Sequence, residues 1–237
     1  MTRSRRTRIV PQTEANPAAG RCLLITAGPT HEPIDSVRFI GNRSSGRLGV
    51  ALADEAAARG WRVTLLLGPT HLSPSRSGVR TLRYRTTADL ASLLEKEQPA
   101  CDALVMAAAV ADYRPRTTPD QLAGKLRREN KAMVIELEPT PDLLAACSSR
   151  RRPRQILIGF ALEPEAELLS SARRKLERKR VDAIIANPLE TMESPDVRAV
   201  AVLRGGVERD AGPAMPKAKF AGWLMNLVEE LVDAAGS

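Results

Sequence analysis

The sequence predicts an α/β fold: one domain on a doubly wound, mostly parallel sheet, with a small antiparallel extension. Three observations predict it. Short apolar runs bounded by turn residues alternate with amphipathic segments, the order expected of successive βαβ units. One run, "CDALVMAAAV" (101–110), is apolar throughout, as a central parallel strand buried on both faces must be. The 237 residues, 43% hydrophobic and 27% charged, can fill one large core, and no internal repeat divides them. The resulting architecture is Rossmann-like and occupies residues 21–237.

Each element follows in order. Residues 22–27, "CLLITA", read as a buried strand. Residues 46–59 read as a helix, because Leu48, Leu52 and Ala56 recur every fourth position and Gly60 stops the run. Strands at 62–68 and 79–85 enclose the turn-rich loop "GPTHLSPSRSG". Thr86 or Thr87 caps a helix that runs to about Lys96. After the strand at 101–110, residues 111–130 show no apolar period and read as a long loop, and 131–139 alternate like a strand. "TPDLLAACSSR" begins a helix with Pro141 at its first position and Asp142 in its first turn. A strand at 155–162, a charged helix at 164–180 and a strand at 181–187 come next. "VRAVAVLRGGVERD" reads as a hairpin, and a last helix spans 217–233 with Phe220, Leu224, Leu227 and Leu231 on one face.

Composition narrows the function. No apolar run reaches the roughly 18–20 residues of a membrane helix, so no membrane association is expected. The first 20 residues lack the apolar stretch of a secretory signal and read as a disordered basic leader. Arg3, Arg5, Arg6 and Arg8 supply half of the net charge of +8. Further basic clusters lie at 150–154 and 173–180, but no aromatic residues interleave with them to stack bases, so no nucleic-acid partner is expected. Compact anions such as nucleotides and phosphorylated metabolites suit them instead. Cys22, Cys101 and Cys147 are far apart, with no CxxC spacing, and read as reduced thiols of a cytoplasmic protein.

Ligands of a doubly wound sheet bind beyond the carboxyl ends of its strands, where strand order reverses. "GPTHEPID", "AAVADYRP", "GFALE" and "ANPLE" occupy such ends. The stretch "NRSSG" (42–46) leads into a helix, whose first N–H groups and positive dipole end suit an anion. Gly46 permits close backbone approach, and the Asn42 amide can donate to an oxygen as charge develops on it. Equally, Ser44 or Ser45 could be a helix cap and nothing more. Lys125, in "KLRR", sits on a long loop that could close over a phosphate, or could be a solvated basic segment. Lys175 and Lys179, four apart, share one helix face, where like charges repel unless a counter-charge such as a polyphosphate intervenes.

These blocks carry a resemblance. "ITAGPTHEPIDSVRFIGNRSSGRLGVALADEAAARGWRVTLLLGP", "AAAVADYRP", "GKLRR", "PDLL", "IGFALE" and "ARRKLERKRVDAIIAN" occur in order and together resemble phosphopantothenate–cysteine ligase over about residues 21–233. In many bacteria that enzyme is the second half of a bifunctional coenzyme A biosynthesis protein; here it looks like a stand-alone ligase. The resemblance implies that 4'-phosphopantothenate is activated by CTP (or ATP), with Mg²⁺ on the triphosphate, to an acyl-nucleotide from which the amine of L-cysteine displaces the nucleotide. It further implies a homodimer, with a separate decarboxylase as a further partner.

On matching positions, the resemblance makes Asn42 the holder of the acyl-nucleotide and Lys125 a catalytic lysine on a flap. Ala108, Ala109 and Asp112 would line the nucleotide site. Pro141, Asp142, Leu143 and Leu144 would contact the nucleotide at a helix start, with Phe160 near the base and Lys175 and Lys179 at the phosphates. Arg38 or Arg43 would receive the pantothenate phosphate beside Ser44, Ser45 and Gly46. The sequence departs from the family at Pro139–Thr140, where Lys-Asn is usual, and at Pro188, where an acid is usual. A catalytically inactive nucleotide- or flavin-binding module is the alternative these departures raise. A short-chain oxidoreductase would need a Tyr-x-x-x-Lys pair, and neither Tyr84 nor Tyr113 has a lysine four residues on.

Overall fold

The computed structural model describes residues 20–236. The basic leader, but for its last residue, lies outside them. The first apolar run forms β1 (Cys22–Ala27), with five of its six residues buried. A hairpin of β2 (His31–Pro33) and β3 (Phe39–Gly41) precedes α1 (Arg47–Ala58). Then come β4 (Arg62–Leu67), β5 (Arg80–Arg83) and α2 (Thr87–Glu97). A capping box starts α2: the Thr86 hydroxyl accepts from the Asp89 N–H, and the Asp89 carboxylate accepts from the Thr86 N–H. After β6 (Ala103–Met106) the chain forms β7 (Tyr113–Pro115), α3 (Pro119–Ala123) and β8 (Leu137–Pro139). The remainder is α4 (Leu143–Ser149), β9 (Ile156–Glu163), α5 (Leu168–Lys179), β10 (Ala183–Pro188), β11 (Asp196–Val197), β12 (Val200–Leu203), β13 (Glu208–Asp210), β14 (Met215–Pro216) and α6 (Lys217–Gly236).

The main sheet has the order β13-β12-β10-β9-β6-β1-β4-β5. From β1 the chain winds outward through β4 and β5, returns to the middle with β6, and winds the other way through β9 and β10, all parallel. The strand order therefore reverses between β1 and β6. Strands β12 and β13 add the antiparallel edge.

Period-two alternation sends neighbouring side chains to opposite faces. Leu23, Ile25 and Ala27 join Leu52 of α1 and Phe220 and Leu224 of α6 on one face. Leu24 and Leu104 join Leu90 and Leu94 of α2, Cys147 of α4 and Leu176 of α5 on the other. Aliphatic side chains fill both layers, each fully buried leucine contributing about 1.5–3 kcal/mol relative to exposure.

Several expectations are corrected. The strand expected at 101–110 ends at Met106. Beyond it the alanines turn to the exit of β1: the Ala107 N–H donates to the Thr26 carbonyl (3.1 Å), and the Ala109 N–H to the Gly28 carbonyl (3.0 Å). Ala108 and Val110 of this run still pack against the buried layer under α2, α4 and α5. In the loop expected at 111–130, Thr118 caps α3 through a capping box with Gln121. Of the strand expected at 131–139 only Leu137–Pro139 form a strand, with the Glu136 carbonyl before it accepting from the Arg116 N–H at 2.9 Å, while Met133 and Val134 face solvent. Asp142 is the N-cap of α4, accepting from the Ala145 N–H at 3.1 Å, so Pro141 precedes the helix instead of starting it. The cap of α1 is Gly46, at φ +74°, a conformation costly for any residue with a Cβ. Neither Ser44 nor Ser45 caps it; Ser45 Oγ accepts only from the Arg47 N–H, at 3.4 Å.

Candidate active site

At the strand-order reversal, beyond the carboxyl ends of β1, β6, β9 and β10, lies an open cleft of about 850 Å³. This is where a doubly wound sheet exposes unpaired strand ends and helix N-termini together. Four walls converge. The first is the segment from Gly41 to Gly49, which carries Asn42, Arg43, Ser44, Ser45 and Gly46. The second is the small-residue strap from Ala107 to Asp112, including Ala108 and Ala109. The third is Thr140 to Leu144 at the head of α4, with Phe160 behind it. The fourth is Lys175, Arg178 and Lys179 on α5.

The strap is held by main-chain and hydroxyl groups. The Ala108 N–H donates to Thr26 Oγ1 (3.1 Å), and the Ala111 N–H to Thr30 Oγ1 (3.0 Å). Thr140 closes it from the other side: its N–H donates to the Asp112 carbonyl (2.9 Å) and its hydroxyl to the Ala111 carbonyl (2.5 Å). Asn42 is moored to the same strap, its Nδ2 donating to the Val110 carbonyl at 3.0 Å.

Electrostatics follow from pairings within the cleft. Lys175 Nζ lies 2.7 Å from Glu163 Oε1, and Lys179 Nζ 3.1 Å from Asp142 Oδ1. Burial opposes ionisation of Glu163, but Lys175 and the Ser171 hydroxyl outweigh it and hold its pKa below the usual carboxylate range. For Asp142, burial is likewise outweighed by the Ala145 N–H and by Lys179. The repulsion expected between the two lysines is thus already met by carboxylates of the chain. A polyphosphate is not needed to explain their spacing. Arg43 reaches Glu193 only at 3.9 Å, with both side chains exposed.

Two expected site residues lie apart from the cleft lining. Arg38 is committed to the buried Asp35 carboxylate at 2.5 Å and to the Leu126 carbonyl at 2.9 Å. Lys125 lies exposed on the segment that Arg38 touches. The cleft also contains residues that motif reading passed over: Arg47, Asn187, Met192 and Lys217. Asn187 stands in a segment flagged only for its strand end, and Lys217 opens a helix read only for its apolar face. Burial, and the charge of Arg47, hold the Lys217 pKa below the usual lysine value, and its ammonium donates to the Ser194 carbonyl at 2.5 Å. Tyr84, by contrast, is buried away from chemistry, its hydroxyl donating to the Ala27 carbonyl at 2.9 Å.

Fold and site together define a doubly wound α/β domain with an open cleft, lined by lysine and arginine side chains, at its switch point. The chain belongs to the family of the DNA/pantothenate metabolism flavoprotein C-terminal domain, whose model matches residues 18–232. It is 46% identical over 174 residues to a cysteine/cysteine sulfinic acid decarboxylase of an unknown prokaryotic organism, covering 73% of this chain and 47% of that one. It is 42% identical over 168 residues to the coenzyme A biosynthesis bifunctional protein CoaBC of Vibrio cholerae, covering 71% of this chain and 41% of that one. The chain thus spans less than half the length of these curated relatives. Among solved structures it is similar to the C-terminal domain of a CoaBC protein, at 31% identity and TM-score 0.78, covering 93% of this chain and 100% of that one. It is also similar to the DNA/pantothenate metabolism flavoprotein of Streptococcus pneumoniae, at 25% identity and TM-score 0.76, covering 89% and 99%. No helix among the described residues is long and apolar enough to cross a membrane.

Proposed function

We propose that the chain ligates 4'-phosphopantothenate to L-cysteine in coenzyme A biosynthesis, with CTP as activating nucleotide and ATP as its substitute. The observation that carries this reading is the convergence of the Asn42 amide, the mouth of α1, the alanine strap and three lysines on one cleft, in a chain of this family. The pantothenate carboxylate attacks the α-phosphorus and the bond to the pyrophosphate breaks, leaving an acyl-cytidylate. The cysteine amine then attacks the acyl carbon, loses its proton, and CMP departs with the electron pair of the acyl C–O bond.

Little covalent work falls to the protein in such steps; positioning and charge stabilisation dominate. Ala108 and Ala109 let the reacting groups approach the backbone, and the Asn42 Nδ2 group, held at the strap, donates to the acyl-nucleotide oxygen. Lys175 and Lys179 face the phosphates, and the Leu143–Leu144 head of α4 and Phe160 bound the nucleoside. Arg43 and the 44–46 turn receive the phosphate of the acid substrate, since an exposed pair at 3.9 Å gives up Glu193 at little cost. Asp112, which lines the cleft, would hold Mg²⁺ carried by the triphosphate, and the ion would neutralise phosphate charge. Magnesium ordinarily keeps several waters and phosphate oxygens, so one carboxylate would be enough to hold it.

A homodimer is supported by Val37, Phe39, Tyr113 and Leu137, exposed apolar residues on the two small hairpins. Pyrophosphate release, measured with CTP and with ATP in the presence of both acid and cysteine, tests the reading. Sustained release that needs all three substrates is expected, with no more than about one equivalent per site when cysteine is left out. No turnover with either nucleotide would leave the alternative, a nucleotide- or flavin-binding module without catalysis.

A further inference from the structure

The Asp35 carboxylate is fully buried although it stands in a loop at the tip of the β2–β3 hairpin. Its two oxygens do different work. Oδ1 accepts from the Val37 N–H (2.9 Å) and the Arg38 N–H (2.7 Å), closing an Asx-type turn within the hairpin. Oδ2 accepts from Arg38 Nε (3.0 Å) and Nη2 (2.5 Å) and, 91 residues away, from the Leu126 N–H at 3.1 Å. Arg38 Nη2 returns a bond to the Leu126 carbonyl at 2.9 Å, and the Ser36 N–H donates to the Gly124 carbonyl at 3.1 Å. The residues on either side of Lys125 are therefore both fastened to one turn, while the Lys125 side chain stays exposed. The same hairpin continues through β3 into Asn42, itself moored to the strap. One hairpin thus carries Asn42 directly and Lys125 by a clasp.

We propose that Asp35 is the positioning residue for Lys125: its Oδ2, with Arg38, latches the 124–126 segment so that the lysine is presented from a fixed main chain. The proposal rests on the ligase reading for its catalytic consequence, but not for the latch itself. It also gives Arg38 a different task from receiving the substrate phosphate. Its Nε and Nη2 both donate, charge-assisted, to the one oxygen Oδ2 of Asp35, and Nη2 also to the Leu126 carbonyl, which holds the guanidinium at the turn.

Asp35→Asn separates the two tasks. The remaining amide oxygen still closes the turn, while an amide N–H₂ group in place of Oδ2 meets the Arg38 and Leu126 donors with donors of its own. Three measurements follow. Limited trypsinolysis of the folded chain, with cut sites assigned by mass, should show cleavage after Lys125, Arg127 and Arg128 about tenfold faster, as expected for loss of hydrogen bonds to a charged group. Turnover should fall by a similar factor with little change in the KM for cysteine. In a double-mutant cycle, Asp35→Asn should cost little once Lys125→Gln is present, because both act through one group. If Asp35→Asn does not fold, Arg38→Gln, which leaves the Asp35 turn bonds intact, carries the same measurements. Unchanged cleavage at 125–128, or fully additive costs in the cycle, overturns the proposal. A wild-type chain without ligase turnover would defeat the proposed function, and the cleavage rates would then decide the latch by themselves.

Discussion

At residue scale the proposed chemistry rests on a neutral amide, that of Asn42, and on the exposed ammonium of Lys125. Asn42 is exposed, yet its Nδ2 is fixed by one bond to the Val110 carbonyl, leaving its second amide proton for a ligand oxygen. Asn42→Asp replaces that donor by a like-charged acceptor facing an anionic intermediate. The expected outcome is a fall in turnover of about 10²–10³-fold, the usual cost of losing one stabilising donor, with the melting temperature unchanged. Steady-state pyrophosphate release beside a thermal melt checks it, and near-normal turnover removes Asn42 from the mechanism. Lys125→Gln should also slow catalysis while the melting temperature barely moves, since the side chain is exposed and makes no core contact. A large drop in melting temperature would make Lys125 a structural residue.

Helix packing governs the next scale. Helix α1 lies so close to β1 that a Cβ at Gly49 would stand 2.3 Å from Ala27 Cβ and 3.3 Å from Ala27 Cα. No rotamer relieves a contact between two Cβ atoms, so Gly49→Ala must push helix from strand. Overpacking of this kind costs about 1–3 kcal/mol, against a gain in helix propensity of about 1 kcal/mol; the packing cost prevails. The variant should melt at lower temperature, and because the first turn of α1 forms the cleft mouth, its KM for nucleotide should rise as well. A melting temperature equal to or above wild type would show that the helix has room to adjust. The second helix of the site, α5, behaves differently. Its two cleft lysines are each neutralised by a carboxylate from another element, Glu163 of β9 and the Asp142 cap of α4, so the helix brings positive charge to the site without leaving it unpaired.

For the molecule as a whole, folding stability carries a pH signature. Asp54, Asp89, Asp142 and Glu163 all have pKa values held below their ordinary range. In each, burial opposes the shift and hydrogen bonds win: from Ser75 and Arg76 to Asp54, from Thr86 to Asp89, and from the partners already described to the other two. A carboxylate with a depressed folded-state pKa contributes stability that is fully present above its unfolded pKa and lost as pH falls through the folded value. The urea midpoint should therefore decline steeply below about pH 4, after a smaller loss near pH 6 from His31, whose pKa burial holds below its ordinary value. The chain's net charge of +8 steepens that decline, since each protonated carboxylate leaves more positive charge unbalanced. A midpoint that rises as pH falls from 6 to 3 would reverse the sign of this account.

Much of this could be read before any coordinates. The parallel core and the order of its elements are written in the alternation of apolar runs, because burial on one or both faces leaves a local period in the chain. The mouth of α1 and the lysine pair of α5 are likewise local spacings, and the cleft contains both. Folding alone settled the rest. Asp35 meets Leu126 across 91 positions, Lys175 finds Glu163, and Asn187 and Lys217 enter the cleft from elements read only for their strand end or apolar face. The alanine run ends its strand at Met106 because the exit of β1 offers it hydrogen bonds that no spacing could announce. Local patterns record whether a side chain is buried; which partner it meets depends on where the sheet reverses, and only the assembled chain brings those ends together.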